Sequence, residues 1–505
     1  MLIPRPNHVE RRPGRFPLRP DLRIRAGAGA ERAGRLLAGY LGLRGGGSVA
    51  SIRLELSPFS WDLGPEGYQL DVRPHQAVLS ATAEAGLLNG VQTLRGLARD
   101  RVLPCVHIRD SPRLPWRGVL LDVARHHMPL EFLHQFVDVM ALHKLNVLHL
   151  HLTDDQGWRM EIEGWPRLID VGAWRPESMV GAAGSTRFDG VPHGGYYTQA
   201  ELRELVRAAA DRGVMIVPEI EMPGHVRAAL AAYPELGNFP ERRLPVWTSW
   251  GISEHILGVH DTALAFCREV LRQVAAVFLA PYVHIGGDEC PTTQWATAPS
   301  ALARAAELGL SDPSQLHGWF LGQMQDTLRG LGRTAVCWAE TGQHAGALPS
   351  GLVLAAWRDA AHGAQAVRAG HQVIMAPHRA TYLDYRQGDG RDEPPGHPEI
   401  VTTVADVYRF DPLAGGLPVA AGDRPGVLGA QAQLWTEFAP TPDHVRRLAF
   451  PRLCAFADTA WRRTAPDYDD FRRRLADQLV RLRALNALPT APVRFADPHI
   501  ETTTL

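Results

Sequence analysis

From about residue 116 onwards, short apolar runs alternate with longer segments whose apolar positions recur every three or four residues. Eight runs read as strands: Gly118–Val123, Asn146–Leu152, Val214–Glu219, Tyr282–Ile285, Thr334–Ala339, Leu352–Trp357, Gln372–Met375 and Val427–Leu434. Between them lie helix-patterned segments such as Leu130–His143, Gln199–Arg212, Thr262–Phe278 and Leu316–Leu331. Strand and helix in strict alternation predict parallel strands joined by right-handed crossovers. Eight such units predict an α/β fold, a (β/α)8 TIM barrel. An open doubly wound sheet is the alternative. No G-x-G-x-x-G or G-x-x-x-x-G-K-[ST] stands at any strand end, which argues against a nucleotide-binding version. The front of the chain has a different rhythm. Strand-like Gly67–Val72 and Ala77–Ser80 precede a helical segment, Glu84–Arg99, with Leu87, Leu88, Val91, Leu94 and Leu97 on one face. This predicts a small α/β domain over residues 1–112, then a barrel with C-terminal helices over 113–505. Asp110–Pro115, punctuated by two prolines, reads as the linker.

Composition narrows the class. Of 505 residues, 45% are hydrophobic and 21% charged, and the formal net charge is −1. That is an ordinary globular mix. The charge balance excludes a basic nucleic-acid binder or an acidic disordered tail as the main identity. Lys144 is the only lysine among 53 basic residues, so 52 are arginine; a GC-rich coding sequence accounts for this. Five cysteines lie far apart, without C-x-x-C, so neither a disulfide framework nor a zinc knuckle is expected. The N-terminal stretch carries no apolar run of the signal-peptide kind, and no segment approaches a membrane span. The expectation is a cytoplasmic protein, monomer or homodimer, with neither nucleic acid nor membrane as partner.

The chemistry gathers where the strands end. They run into Asp122–Arg125, Thr153–Asp155, Glu219–His225, Gly286–Glu289, Trp338–Glu340, Trp357–Asp359, Tyr382–Asp384 and Trp435–Glu437. Barrel active sites are built at this rim. Two long connections, Thr153 to about Thr198 and Ala376 to about Gly426, leave from the same side. Carboxylates bind sugar hydroxyls, tryptophans pack on pyranose C–H faces, and cleavage of a glycosidic bond needs an acid. If the backbone is extended at Asp288 and Glu289, the two side chains point to different sides and can take separate roles.

These strings carry a resemblance. Trp116–His126, Lys144–Asp155, Pro223-Gly224-His225, His284–Glu289, Trp338-Ala339-Glu340 and Leu434–Glu437 together resemble the family 20 glycoside hydrolases, the β-N-acetylhexosaminidases, over most of Leu114 to Trp461. The front domain is similar to the small α/β domain that often precedes that barrel. The resemblance implies a retaining, substrate-assisted mechanism. The 2-acetamido carbonyl attacks its own anomeric carbon to give an oxazoline-type intermediate, and no enzyme nucleophile is used. It makes Glu289 the general acid and base. Asp288 would orient the acetamide N–H and Tyr382 would bond its oxygen. Trp338, Trp357 and Trp435 would wall the pocket, while Arg125, Glu437 and Asp384 would hold hydroxyls. Asp154 would orient His225, which meets Glu289. An acid working near neutral pH needs a raised pKa, expected here from burial by tryptophans beside Asp288. The implied substrate is an oligosaccharide with a terminal N-acetylhexosamine, such as a chitin oligosaccharide or a peptidoglycan fragment. No metal or cofactor is implied.

The chain departs from the family at Glu221, where the family usually has an Asp expected to hold Arg125. His126-His127 and the alternating His149 and His151 invite a metal reading, but no H-E-x-x-H occurs, and a core position is the expectation. The arginine-rich segment Tyr468–Leu485 reads as a solvated helix face. Three other functions stay open at this stage. They are a related hydrolase releasing a disaccharide or a modified hexosamine, a catalytically silent sugar binder, and a two-carboxylate glucosidase.

Overall fold

The computed structural model describes residues 1–43, 50–57, 62–339, 348–388, 390, 393 and 395–490. Eight parallel strands close into a barrel: Trp116–Asp122, Val147–His151, Met215–Glu219, Tyr282–His284, Thr334–Trp338, Val353–Ala356, Gln372–Met375 and Gly426–Leu434. The eighth pairs back onto the first, Ala432 opposite Val119. All eight runs expected from the sequence are strands of this barrel, with ends shifted by two residues or fewer. Their side chains divide by the two-residue repeat of a strand. Leu121, Leu148, Leu150 and Ile216 pack outward against helices such as Leu130–Leu142, Gln199–Ala210 and Asp261–Val277. Trp116, Leu120, Val147, Val217, Val336 and Ile374 fill the interior. The barrel is therefore packed at its lower end, and only the strands' C-terminal rim opens to solvent.

The front domain is a six-stranded mixed sheet, more than the sequence suggested. His8–Pro17, Val102–Asp110, Tyr68–Arg73, Gln76–Ala81, Ala50–Leu56 and Arg23–Ala26 follow one another across it. Helices Glu31–Leu41 and Glu84–Leu97 cover it, and the second also packs on the barrel helix Leu130–Leu142.

The segment read as a linker is an anchor. Asp110 ends its strand fully buried. It accepts from Trp461 Nε1 at 3.0 Å, Tyr68 Oη at 2.8 Å and the Asn7 backbone at 2.9 Å. Lys144 Nζ lies 3.0 Å from Asp110 Oδ2 and donates to Tyr68 Oη at 2.9 Å, its own side chain 3% exposed. The ammonium also sits 4.4 Å from the Trp461 ring centre. Lys144 turns the chain from a barrel helix into the second strand, so this pair joins both domains and the C-terminal helix Arg452–Trp461. Burial pushes its pKa below the usual lysine range, opposed by Asp110.

Helix Tyr468–Ala484 is not simply a solvated face. Arg474 turns inward onto Asp458 at 2.8 Å and Asp470 at 2.8 Å, and Arg481 donates to Gly96 O at 2.6 Å. All five cysteines are buried and unpaired. Among the described residues, no helix is long and apolar enough to cross a membrane.

Asp110→Asn leaves the Lys144 charge buried without its counter-charge. Removing one partner of such a pair costs about 3–5 kcal/mol. Urea unfolding should show a loss of this size, and a change under about 1 kcal/mol would mean that the ion pair is not what holds the two domains together.

Candidate active site

All eleven residues singled out from the sequence line one cavity of about 510 Å³ at the barrel's C-terminal rim: Arg125, Asp154, His225, Asp288, Glu289, Trp338, Trp357, Tyr382, Asp384, Trp435 and Glu437. Most stand at or just after the end of a strand, where the backbone leaves the sheet; His225, Tyr382 and Asp384 come from the loops that follow. Glu340, quoted with them, lies outside the described residues.

The first and last strands are tied together at this level. Asp122 Oδ1 accepts from the backbone N–H groups of Ala124 at 2.8 Å and Arg125 at 3.0 Å, while Oδ2 accepts from Thr436 N at 3.1 Å. Arg125 is held by Asp154 at 2.8 Å, Gln156 at 3.1 Å and Asp122 at 3.4 Å, with its guanidinium 5.1 Å from the Trp435 ring centre. Burial opposes the charge, but Asp154, Glu437 and Asp122 outweigh it and raise the guanidinium pKa.

The residue expected to hold Arg125, Glu221, does not. Among the described residues no ion pair joins the two. Glu221 is 2% exposed and lies under the Gly286 turn, where a Cβ at Gly286 would stand 1.8 Å from its Oε2. With φ +64°, position 286 admits glycine on both counts. Burial, with Asp288 and Glu219 nearby, pushes the Glu221 carboxyl well above the usual range.

The backbone at the acid pair is not extended, as the two-sided argument assumed. The fourth strand stops at His284, then Gly286, Gly287 and Glu289 all have positive φ (+64°, +87° and +42°). The turn brings both carboxylates to the same cavity. His225 Nε2 lies 3.6 Å from Glu289 Oε2 and 4.0 Å from Asp288 Oδ2. Its Nδ1 faces Asp155 at 3.2 Å and Asp154 at 3.3 Å, so the orienting role is shared by two aspartates. Burial would neutralise His225, yet Asp154, Asp155 and Glu289 raise its pKa well above the ordinary value. This reverses one expectation. Burial raises the Glu289 carboxyl, but His225, 3.6 Å away, and its charge overcome that and hold it below its usual value.

The opposite wall is aromatic. Trp435 stands 5.9 Å from Trp338 and 6.2 Å from Tyr382, centre to centre. Asp384 and Glu437 lie beyond, both raised in pKa chiefly by burial. Trp250, Gly251, Ile252, Tyr385 and His397 also line the cavity. The sequence reading missed these, because they belong to loops whose positions depend on long-range contacts. The Trp250 loop is fixed by Met179 N to Thr248 O at 2.7 Å and Trp247 N to Asp155 O at 3.1 Å. His149 and His151 are buried in the interior as expected, and beneath the pocket they meet Glu219, also missed. Groups such as His149, Glu219 and His284 have metal-ligand spacing, but their ligand atoms are turned toward one another.

The model of the family described as Glycosyl hydrolase family 20, catalytic domain, matches residues 114–464. A second, described as Glycosyl hydrolase family 20, domain 2, matches residues 1–111. A Beta-hexosaminidase of Porphyromonas gingivalis is 37% identical over 434 residues, covering 83% of this chain and 54% of the relative. This chain thus spans about half the length of that protein. A Beta-hexosaminidase of Akkermansia muciniphila is 36% identical over 427 residues, covering 82% of this chain and 83% of the relative. Among solved structures, a GH20 exo beta-N-acetylglucosaminidase from Vibrio harveyi in complex with N-acetylglucosamine aligns with a TM-score of 0.86 at 30% identity, over 98% of this chain and 78% of that one. Streptomyces plicatus N-acetyl-beta-hexosaminidase in complex with Thio-NAglucal aligns with a TM-score of 0.81 at 34% identity, over 96% and 95%.

The buried histidines give stability a pH profile. Burial lowers the pKa of His126, His127, His143 and His149 to about 4. Unfolded, they titrate near 6.5. Between pH 6.5 and 4 the unfolded chain binds more protons, so stability falls as pH falls through that window. His151 is the reverse: against burial, Glu219 and Asp154 raise it to about 10. Its contribution is complete below pH 6.5 and is lost as pH rises through 10. Melting temperature measured from pH 4 to pH 10 should peak near neutrality and fall more steeply on the acid side. A melting temperature that keeps climbing as the pH is lowered from 6.5 to 4.5 would refute this.

Proposed function

The chain belongs to glycosyl hydrolase family 20, and from that footing we propose that it is an exo-acting, retaining β-N-acetylhexosaminidase using the substrate's own acetamide as nucleophile. The single observation that carries this reading is the blind cavity itself. Its walls carry Trp338, Trp357 and Trp435, Arg125 and Asp384 are more than nine-tenths buried within it, and two adjacent carboxylates face one histidine. A pocket closed by the packed barrel accepts the end of a chain, not its middle.

A terminal N-acetylhexosamine fits these groups by chemistry. Arg125, Asp384 and Glu437 bind ring hydroxyls; Arg125 and Asp384 are more than nine-tenths buried, while Glu289 keeps the larger exposure expected nearer the mouth. The aromatic box takes the acetamide methyl. Asp288 accepts from the acetamide N–H, and Tyr382 donates to the carbonyl oxygen. That oxygen is thereby directed at the anomeric carbon, which gains effective molarity over any external nucleophile. Glu289 protonates the leaving oxygen, then removes a proton from the water that opens the oxazoline-type ring. Its proton comes from the coupled pair with His225. In the open pocket Glu289 keeps 31% of its side-chain surface exposed, and His225 holds it ionised. A sugar covering that surface removes its water and favours the neutral acid, so the shared proton moves toward the glycosidic oxygen. A 2-hydroxyl sugar has no internal nucleophile and leaves the box unfilled.

The purified protein should release nitrophenol from the β-N-acetylglucosaminide and not from the plain β-glucoside. Comparable turnover of both would instead support a two-carboxylate glucosidase. Glu289→Gln should lower kcat by about 10²–10⁴ for poor leaving groups while substrate binding is retained. Asp288→Asn should lower it by about 10²–10³, in line with loss of one preorganised charge partner. Unaltered kcat in either variant would remove that residue from its role.

A further inference from the structure

Beneath the pocket, one carboxylate gathers groups that the reaction needs at two separate places. Glu219, last residue of the third strand, has no exposed surface. Its Oε1 accepts the indole N–H of Trp338 at 2.8 Å, and His284 Nδ1 lies 2.7 Å from the same atom. Its Oε2 meets Nδ1 of His151 in a short contact, with His149 Nε2 at 3.1 Å. Gln431 donates to the other nitrogen of His149 at 3.0 Å, which leaves the proton of that ring on the side facing Glu219. His151 passes the connection upward through Nε2 to Asp154 Oδ2 at 3.0 Å. That same oxygen takes Arg125 at 2.8 Å, and the other oxygen of Asp154 faces His225.

We propose that Glu219 is a positioning residue that sets two things at once: the depth of the acetamide box, through Trp338, and the charge of the relay, through His151 and Asp154. The inference rests on the reading of the pocket as an N-acetylhexosamine site. The indole is 2% exposed and has one polar atom; tied to Glu219, the ring cannot retreat toward the barrel axis. The box is then sized for a methyl group and rejects longer acyl chains. His151 lies among Glu219, last in the third strand, Glu221 just beyond it, Asp122 opposite on the first, and Asp154 after its own strand, with Arg125 beyond Asp154 and Trp435 against its ring at 5.0 Å. Carboxylates at both ring nitrogens keep it cationic, and its pKa is raised to about 10. That cation, with Arg125 and His225, holds Asp154 ionised against burial.

The experiment compares wild type, Glu219→Gln and Trp338→Phe on N-acetyl and N-butanoyl β-glucosaminides, with the pH dependence of kcat/KM for the first. Glu219→Gln keeps the volume and removes the charge. Its alkaline limb should move at least one pH unit lower, because His151 loses a carboxylate and gives up its proton sooner. Trp338→Phe keeps a ring and removes the tether. Its N-butanoyl to N-acetyl ratio of kcat/KM should rise at least tenfold, with the pH profile unmoved. A merely structural role would lower both substrates together and leave limb and ratio in place; that outcome in either folded variant overturns the proposal. If Glu219→Gln does not fold, His151→Gln replaces it: its alkaline limb must lose the His151 ionisation, and a wild-type profile overturns the proposal equally. Absence of wild-type turnover on the N-acetyl substrate would strike the parent reading, whereas wild-type turnover with unchanged variants strikes only Glu219.

Discussion

Charge buried without water governs the top of this barrel. Each ion withdrawn from solvent costs several kcal/mol unless a partner of opposite sign is held in good geometry. The carboxyl groups here sort themselves by that rule. Asp154 meets Arg125, His151 and the two-sided His225, and against burial they hold it far below its normal pKa. Burial first, and then neighbouring carboxylates, push Glu221 and Asp384 well above their usual range. Acids of raised and of lowered pKa thus stand side by side in one pocket, with environment and not residue type deciding which is which.

The fold supplies those partners through register. In a closed barrel, inward positions of neighbouring strands lie level with one another. Glu219 opposite His151, and Glu219 opposite His284, are direct pairs across the sheet. A shift of one residue in either pairing would turn one partner outward into the helical layer. Asp122 secures the closure itself, since its acceptor oxygens span the seam between the first and eighth strands. Backbone pairing and the polar floor of the pocket therefore specify each other.

The barrel was legible because its strands are buried on both faces and read as short, mainly apolar runs, broken only by inward polar residues such as His149, His151, Gln431 and Gln433. The front sheet was not. His8–Pro17 is an edge strand, exposed at nearly every position and interrupted by Pro13 and Gly14, so it carries no two-residue rhythm. The pocket residues could be found from sequence because each is a polar or aromatic break at the end of an apolar run. Their electrical states could not. Glu289 was expected to be raised in pKa by its tryptophan surroundings, but the cation next to it comes from a loop sixty-odd residues earlier in the chain. Glu219 looked like any glutamate after a strand until three histidines and an indole were brought around it. Asp110 looked like the start of a linker because its neighbours are prolines; its partners come from residues as distant as Asn7 and Trp461.

The solitary lysine has a practical corollary. Lys144 is enclosed between the front sheet, the barrel and Trp461, with its ammonium bonded on two sides. Reagents that acylate or cross-link lysine amines find no lysine to modify on the folded surface. A lysine-specific protease has a single bond to cut in all 505 residues, and it lies inside the domain junction. Scission into pieces of 144 and 361 residues would record each opening of that junction, so the chain carries its own one-site gauge of domain separation.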